Sequence, residues 1–195
     1  MLPIIAEHCP KIRSINCDKA SVNGLKKLSE KCRNITELSI KEFEEVDELD
    51  EVLKDLISNN KKLQFLDIRK YEGNGDCLLK LNFEEIITIK IASLQDSEQN
   101  EEKLINVIEK SKNLSSFKYG TANLNVFEAL EGNCKNLREL DLKLDDYSDI
   151  DDVDRSLSDI FINNEKLKSL KLRNFNGLTG KSFLSLSEKI IEKLH

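Results

Sequence analysis

Five cysteines and two histidines are the residues best suited to chemistry in this chain of 195 residues. Their spacing argues against that use. Cys9, Cys17, Cys32, Cys77 and Cys134 are odd in number and form no C-x-x-C pair, so neither a disulfide framework nor a structural zinc site is expected. His8 and His195 stand at opposite ends of the chain. Cys77 follows a Gly-Asn-Gly-Asp turn, a place where a thiol can be exposed, but a catalytic thiol needs a base and His8 lies several repeats away. A second candidate is the acidic run from Asp145 through Asp146, Asp149, Asp151 and Asp152 to Asp154. Oxygen ligands at this density suit calcium. A twelve-residue calcium loop starting at Asp145 would need Gly and Glu where Ile150 and Ser156 stand. Carboxylates at a helix start also favour the helix dipole, and the run reads as that. The motifs G-x-x-x-x-G-K-[ST], G-x-G-x-x-G and G-x-S-x-G are absent. No cofactor and no catalytic activity are expected.

Composition narrows the class further. Asp and Glu total 36 against 30 Lys and Arg, a formal net charge of −6. Nucleic-acid binders are usually basic, so no nucleic-acid partner is expected. With 39% apolar residues, 2 Pro and 7 Gly, the chain has the make-up of a globular domain. No stretch of about 18 apolar residues occurs, so no membrane span is expected. The start, Met1-Leu-Pro-Ile-Ile-Ala6, has no basic region before its apolar run and does not read as a signal peptide. Unpaired thiols suit a cytoplasmic or nuclear location.

The chain is a repeat. An apolar residue, two variable ones, an apolar residue, one variable and an apolar residue recur as Ile12-Ile15-Cys17, Ile35-Leu38-Ile40, Leu63-Leu66-Ile68 and Ile86-Ile89-Ile91. They continue as Leu114-Phe117-Tyr119, Leu137-Leu140-Leu142 and Leu167-Leu170-Leu172. Successive starts are 23, 28, 23, 28, 23 and 30 residues apart, and an eighth start falls at Leu194. Alternation within each unit is strand period. Helical stripes lie between: Leu25, Leu28 and Cys32; Leu49, Leu53, Leu56 and Ile57; Leu104, Val107 and Ile108. Val126, Phe127 and Leu130 follow, then Val153, Leu157, Ile160 and Phe161, then Phe183, Leu184, Leu186, Ile190 and Ile191. Between Asp76 and Leu81 only a turn or two of helix fits. Ser97, Asp149 and the Thr179–Ser182 segment suit helix starts. A strand-loop-helix unit cannot bury its apolar face alone, so units must stack. The fold expected is α/β, a curved solenoid of about seven repeats spanning residues 1–195 as one domain. Neither end carries a polar cap, so the domain reads as truncated at both ends.

Cys134-Lys-Asn-Leu-Arg-Glu-Leu-Asp-Leu142 and Cys32-Arg-Asn-Ile-Thr-Glu-Leu-Ser-Ile40 resemble leucine-rich repeats of the cysteine-containing type found in F-box/leucine-rich-repeat proteins. The resemblance covers nearly the whole chain. It departs from the pattern where Asn60, Asn164 and Phe83 replace the leading Cys. It implies parallel strands on a concave face, helices on a convex face, and protein recognition. In that family the repeats hold the substrate of a cullin–RING ubiquitin ligase, and an F-box docks the ligase adaptor. No F-box motif is present here, so an adaptor is expected only if one lies outside this chain. The alternative is a repeat scaffold or regulator, for example of small GTPases, with no ubiquitin role.

The variable strand positions point to the concave side. There Phe65 is the aromatic candidate for a binding anchor, and Arg69, Lys90, Lys118, Lys143, Lys171 and Arg173 form a basic column. An acidic or phosphorylated protein segment is the partner such a column suits. Cys9, Cys32 and Cys134 occupy equivalent sites and are expected to be small buried hydrophobes.

Overall fold

The computed structural model describes residues 1–45, 47–95, 98–145, 149–178 and 182–185. Seven strands form within them: β1 (Ser14–Ala20), β2 (Glu37–Phe43), β3 (Phe65–Ile68), β4 (Thr88–Ile91), β5 (Ser116–Ala122), β6 (Glu139–Leu144) and β7 (Ser169–Arg173). All pair in parallel and in chain order, giving one open sheet. The register follows the sequence repeat at its second apolar position: Ile15, Leu38, Leu66, Ile89, Phe117, Leu140 and Leu170 lie on one rung.

The strands alternate with helices α1 (Leu2–His8), α2 (Val22–Lys31), α3 (Leu49–Asn59), α4 (Glu98–Lys110), α5 (Leu124–Asn133) and α6 (Ile150–Asn163). Two 3-10 helices, Asp76–Lys80 and Ser182–Ser185, take the remaining places. Each helix touches the next along the row. The core lies between this row and the sheet. Leu25, Leu53, Leu104, Phe127 and Leu157 from the helices meet Leu38, Ile68, Ile89 and Leu142 from the strands, all buried. Each such side chain contributes roughly 1.5–3 kcal/mol relative to an exposed one. Stacking is less complete at one end, where Leu170 and Leu172 are only half-buried. Phe183 is also half-buried and Leu184 is 86% exposed, so Leu184 does not join the expected apolar stripe. Leu186, Ile190, Ile191 and Leu194 lie outside the described residues, as do Ser97, Thr179 and Gly180.

Repeats are joined by backbone before the strands begin. The carbonyls of Arg13, Thr36, Gln64, Ile87, Ser115 and Arg138 each accept two N–H groups from the next repeat, at 2.7–3.1 Å. A second tie uses the position three residues before each repeat start. Asn60 is 2% exposed and makes three hydrogen bonds there. Its Nδ2 donates to the Cys32 and Leu56 carbonyls at 3.2 and 2.8 Å, and its Oδ1 accepts from Ile35 N at 2.8 Å. Asn164 repeats the arrangement on Cys134, Ile160 and Leu137. Where Cys32 holds the place, its Sγ reaches only to 3.9 Å from the Cys9 carbonyl. Asparagine at this position is therefore a fuller rung than cysteine, since it carries both donors and an acceptor.

The short unit after β3 is closed by Tyr71, which is fully buried. Its hydroxyl donates to Asp50 of α3 and accepts from Gly75 N at 2.9 Å. The other Asp50 oxygen accepts from Asn74 N at 3.1 Å. A Cβ on Gly73 would sit 2.5 Å from the Tyr71 ring, so the turn requires glycine there. Gly120 in β5 is held to glycine by the backbone just after β4: a Cβ would come 2.1 Å from the Ala92 carbonyl oxygen. A break in register follows between Tyr119 and Ala122.

Charge follows the helix dipoles. Asp50 and Glu51 open α3, Asp151 and Asp152 open α6, and Lys31 and Lys110 close α2 and α4. Because all strands are parallel, the helix starts share one edge of the molecule and the helix ends share the other.

Asn60→Ala leaves one N–H and two carbonyls without their buried partner. Chemical denaturation should show a loss of about 1–3 kcal/mol. Tyr71→Phe removes one donor and one acceptor inside the turn and should cost a similar ~1–3 kcal/mol by the same measurement.

Candidate functional site

Among the described residues, one face of the sheet is left without helices. Two shallow depressions lie on it. One, of about 260 Å³, is bounded by Ser14, Asn16, Glu37, Ser39 and Phe65. The other, of about 230 Å³, is bounded by Arg69, Lys90, Lys118, Glu139, Asp141 and Lys171 among others. Phe65 is half-buried and does not project as a free anchor. The ammonium of Lys90 sits 5.6 Å from the centre of its ring, within cation–π range.

The structure brings all seven residues singled out from sequence onto this face, but not as a free basic column. Lys118 Nζ donates to Asp141 Oδ2 at 2.7 Å. Arg173 Nη2 lies 2.7 Å from Asp141 Oδ1, an ion pair whose N–H does not point at the oxygen. Arg69 Nε donates to Asp67 Oδ1 at 2.8 Å. Lys90 Nζ lies 3.7 Å from Glu139 Oε2, which also accepts from Ser116 Oγ at 2.9 Å. Among the described residues Lys143 and Lys171 have no ion-pair partner, and both are exposed. Asp67, Thr88 and Ser116, on the same face, are buried.

The organising groups are thus acids, Asp141 and Glu139. Their role is visible in the sequence once repeats are compared rung by rung. Lys118 and Asp141 pair in register, as do Ser116 and Glu139. Ser14 and Glu37 repeat the second pair at 2.7 Å, and Asp18 and Lys41 form a similar cross-strand bridge at 2.6 Å. Such pairs fix side-chain positions on an otherwise uncovered sheet.

The thiols are placed differently. Cys9 is exposed, whereas Cys17, Cys32, Cys77 and Cys134 are buried. Cys77 does not lie open in its turn. The Tyr71 turn folds over it, and burial pushes its thiol up to about 12. Burial does the same to Cys134, also to about 12, and raises Cys17 and Cys32. These four are neutral at ordinary pH and poor nucleophiles.

The acidic run serves the fold. Asp149 accepts from Asp151 N at 2.9 Å, Asp152 pairs with Arg155 at 2.7 Å, and Asp154 accepts from Ser182 N at 3.2 Å. Asp146 lies outside the described residues. No group of three or more His, Cys, Asp or Glu among the described residues is arranged to hold a metal ion. No helix among them is long and apolar enough to cross a membrane.

No protein-family model matches the chain, and a comparison with curated protein sequences finds no match.

Alkylation of the native protein should label Cys9 alone, with the other four thiols reacting only after denaturation; mass spectrometry counts the adducts. Since folding raises the Cys77 and Cys134 pKa values from 9.0 to about 12, the unfolded chain loses these protons first. Stability should therefore be steady below about pH 9 and decline toward pH 12 in denaturation curves.

Proposed function

We propose that the chain is a leucine-rich-repeat array of the cysteine-containing type, and that its uncovered sheet face binds a protein partner. The observation that carries this reading is the shared register of the repeated apolar positions. Identical repeat positions share a rung across the whole sheet, which is how stacked strand-loop-helix units bury a continuous core. In this reading the sheet is the concave side of a curved solenoid and the helices are its convex side.

Three features support binding at that face. It is lined by side chains held in place by cross-strand pairs, so little ordering is needed when a partner arrives. It carries a partly covered aromatic, Phe65, beside a depression. It also keeps exposed cations, Lys143 and Lys171, unsatisfied by neighbours among the described residues. The setting implied by the repeat resemblance is the substrate-binding region of an F-box-type subunit of a cullin–RING ubiquitin ligase. In this reading the binding role is non-catalytic.

Affinity capture should recover a partner with the wild-type protein and with an Arg155→Glu variant on α6. A Phe65→Ala, Lys171→Glu variant should lose that partner by about tenfold or more. Equal recovery by all three proteins would move the binding surface off the sheet.

A further inference from the structure

Charge is sorted between the two edges of the sheet. Seven loops lead from a helix end into a strand start, and they share one edge because every strand runs the same way. Lys11 and Arg13 lead into β1, Arg33 into β2, and Lys61 and Lys62 into β3. Lys112 leads into β5, Lys135 and Arg138 into β6, and Lys166 and Lys168 into β7. All of these are exposed. The acids of the same loops are Glu84, Glu85 and Glu165. The opposite edge is acidic, with Glu44, Glu45, Asp47 and Glu48 before α3 and Asp145 and Asp149 before α6. Pairing sharpens the contrast. The ion pairs among the described residues use cations of strands, helices or the opposite edge, and none uses a cation of these seven loops. The helix dipole accounts for Lys31 and Lys110, in the last turns of α2 and α4, but the loop cations carry the charge past the helix ends. The loops are also tied to one another. Asn82 donates to the Lys61 carbonyl at 3.2 Å, Asn113 to the Glu84 carbonyl at 2.8 Å, and Asn136 to the Lys112 carbonyl at 3.0 Å. Neighbouring strands lie about 4.8 Å apart, so the seven loops stack into a row roughly 30 Å long.

We infer that this basic rim docks on an anionic membrane surface, with the acidic edge turned away from it. The net charge of −6 conceals the rim, because the two edges carry opposite signs and only the nearer one acts within a Debye length of the lipid. A layer of anionic headgroups attracts each nearby Lys or Arg without demanding a fixed spacing. A row spread along the whole edge fits a target of that kind. Exposed aliphatic side chains stand in the same row. Ile87, in the loop before β4, is 40% exposed. Leu79 and Ile162, each one residue from a helix end at this edge, are 36% and 57% exposed. Leu79 and Ile87 flank Glu84 and Glu85 in the chain, so apolar contact takes over where the cations are interrupted. Such side chains gain by entering the headgroup and acyl boundary of a bilayer, and gain nothing against a phosphate backbone. A single-stranded nucleic acid would also need open aromatic rings for its bases. Phe83, the one aromatic of these loops, is half-buried, and the Lys110 ammonium lies 5.6 Å from its ring centre. Docking by the rim stands the sheet on edge and leaves its uncovered face open, so this inference is independent of the protein-binding reading above.

The test is flotation of the full chain with vesicles of phosphatidylcholine alone and of phosphatidylcholine mixed about four to one with phosphatidylserine. The wild-type protein should bind the mixed vesicles at least about tenfold more tightly, and the preference should shrink as salt is raised. Lys61→Glu with Lys135→Glu should weaken that binding by about tenfold or more. Lys143→Glu with Lys171→Glu makes the same change in net charge on the sheet face and should leave it within about twofold. Ile87→Ser with Ile162→Ser should weaken it severalfold while keeping its salt dependence. All six positions are exposed, and matching thermal midpoints confirm that the variants fold. Duplex DNA or polyglutamate, each matched to the vesicles in negative charge, should leave most of the protein bound. A wild-type protein that binds both vesicles equally, or neither, overturns the inference. Equal losses in the rim and sheet-face variants overturn it as well, since net charge would then explain the binding. Displacement by DNA or by polyglutamate would assign the rim to that polyanion instead of a membrane.

Discussion

At the start of every strand but the first, two consecutive N–H groups converge on one carbonyl of the repeat before it. This shared acceptor is the constraint on which the rest depends. A buried backbone donor without a partner is costly, so each new repeat must begin in register with the last. Once the first rung is set, the parallel ladder has one way to continue. The apolar positions then fall on top of one another, and the helices have a flat apolar floor to cover. Asn60 and Asn164 reinforce the same junction with side-chain bonds where the backbone turns into the strand. The irregular unit obeys the rule too. Its helix shrinks to Asp76–Lys80, Tyr71 and Asp50 fill the space, and the Leu66–Ile89 rung is still made.

The same register decides the chemistry of the uncovered face. Side chains at equivalent positions become neighbours, so a lysine in one repeat meets whatever the next repeat places on that rung. Lys118 meets Asp141, and Ser116 meets Glu139. Where the rung offers another cation, as Lys143 meets Arg173, charge accumulates. The face is thus a pattern of neutralised and unneutralised rungs. Among the described residues the unneutralised ones gather on β6 and β7.

Much of the fold was legible in the residues because a repeat reports itself many times. The Ile35-Leu38-Ile40 spacing alone is compatible with many structures. Seven spacings of the same kind leave one way to bury all of them. The stripes Leu49-Leu53-Leu56-Ile57 and Val153-Leu157-Ile160-Phe161 mark helices for the same reason, and the short unit near Asp76 follows from a count of residues. The site was less legible. Phe65, Arg69, Lys90, Lys118, Lys143, Lys171 and Arg173 were placed on one face correctly, since strand period determines facing. Which of them are held by acids depends on distances between side chains of different repeats.

The sequence by itself determined that strands and helices alternate and that every second strand position escapes the core, because periodicity is a local property of the chain. Only the tertiary structure decided that Cys77 is sealed beneath Tyr71 while Cys9 is open, that Asn60 and Asn164 bridge repeats, and that Asp141 draws two cations to itself. Burial and pairing are set by what neighbouring repeats bring within a few ångströms, and a residue's own position along the chain does not contain that.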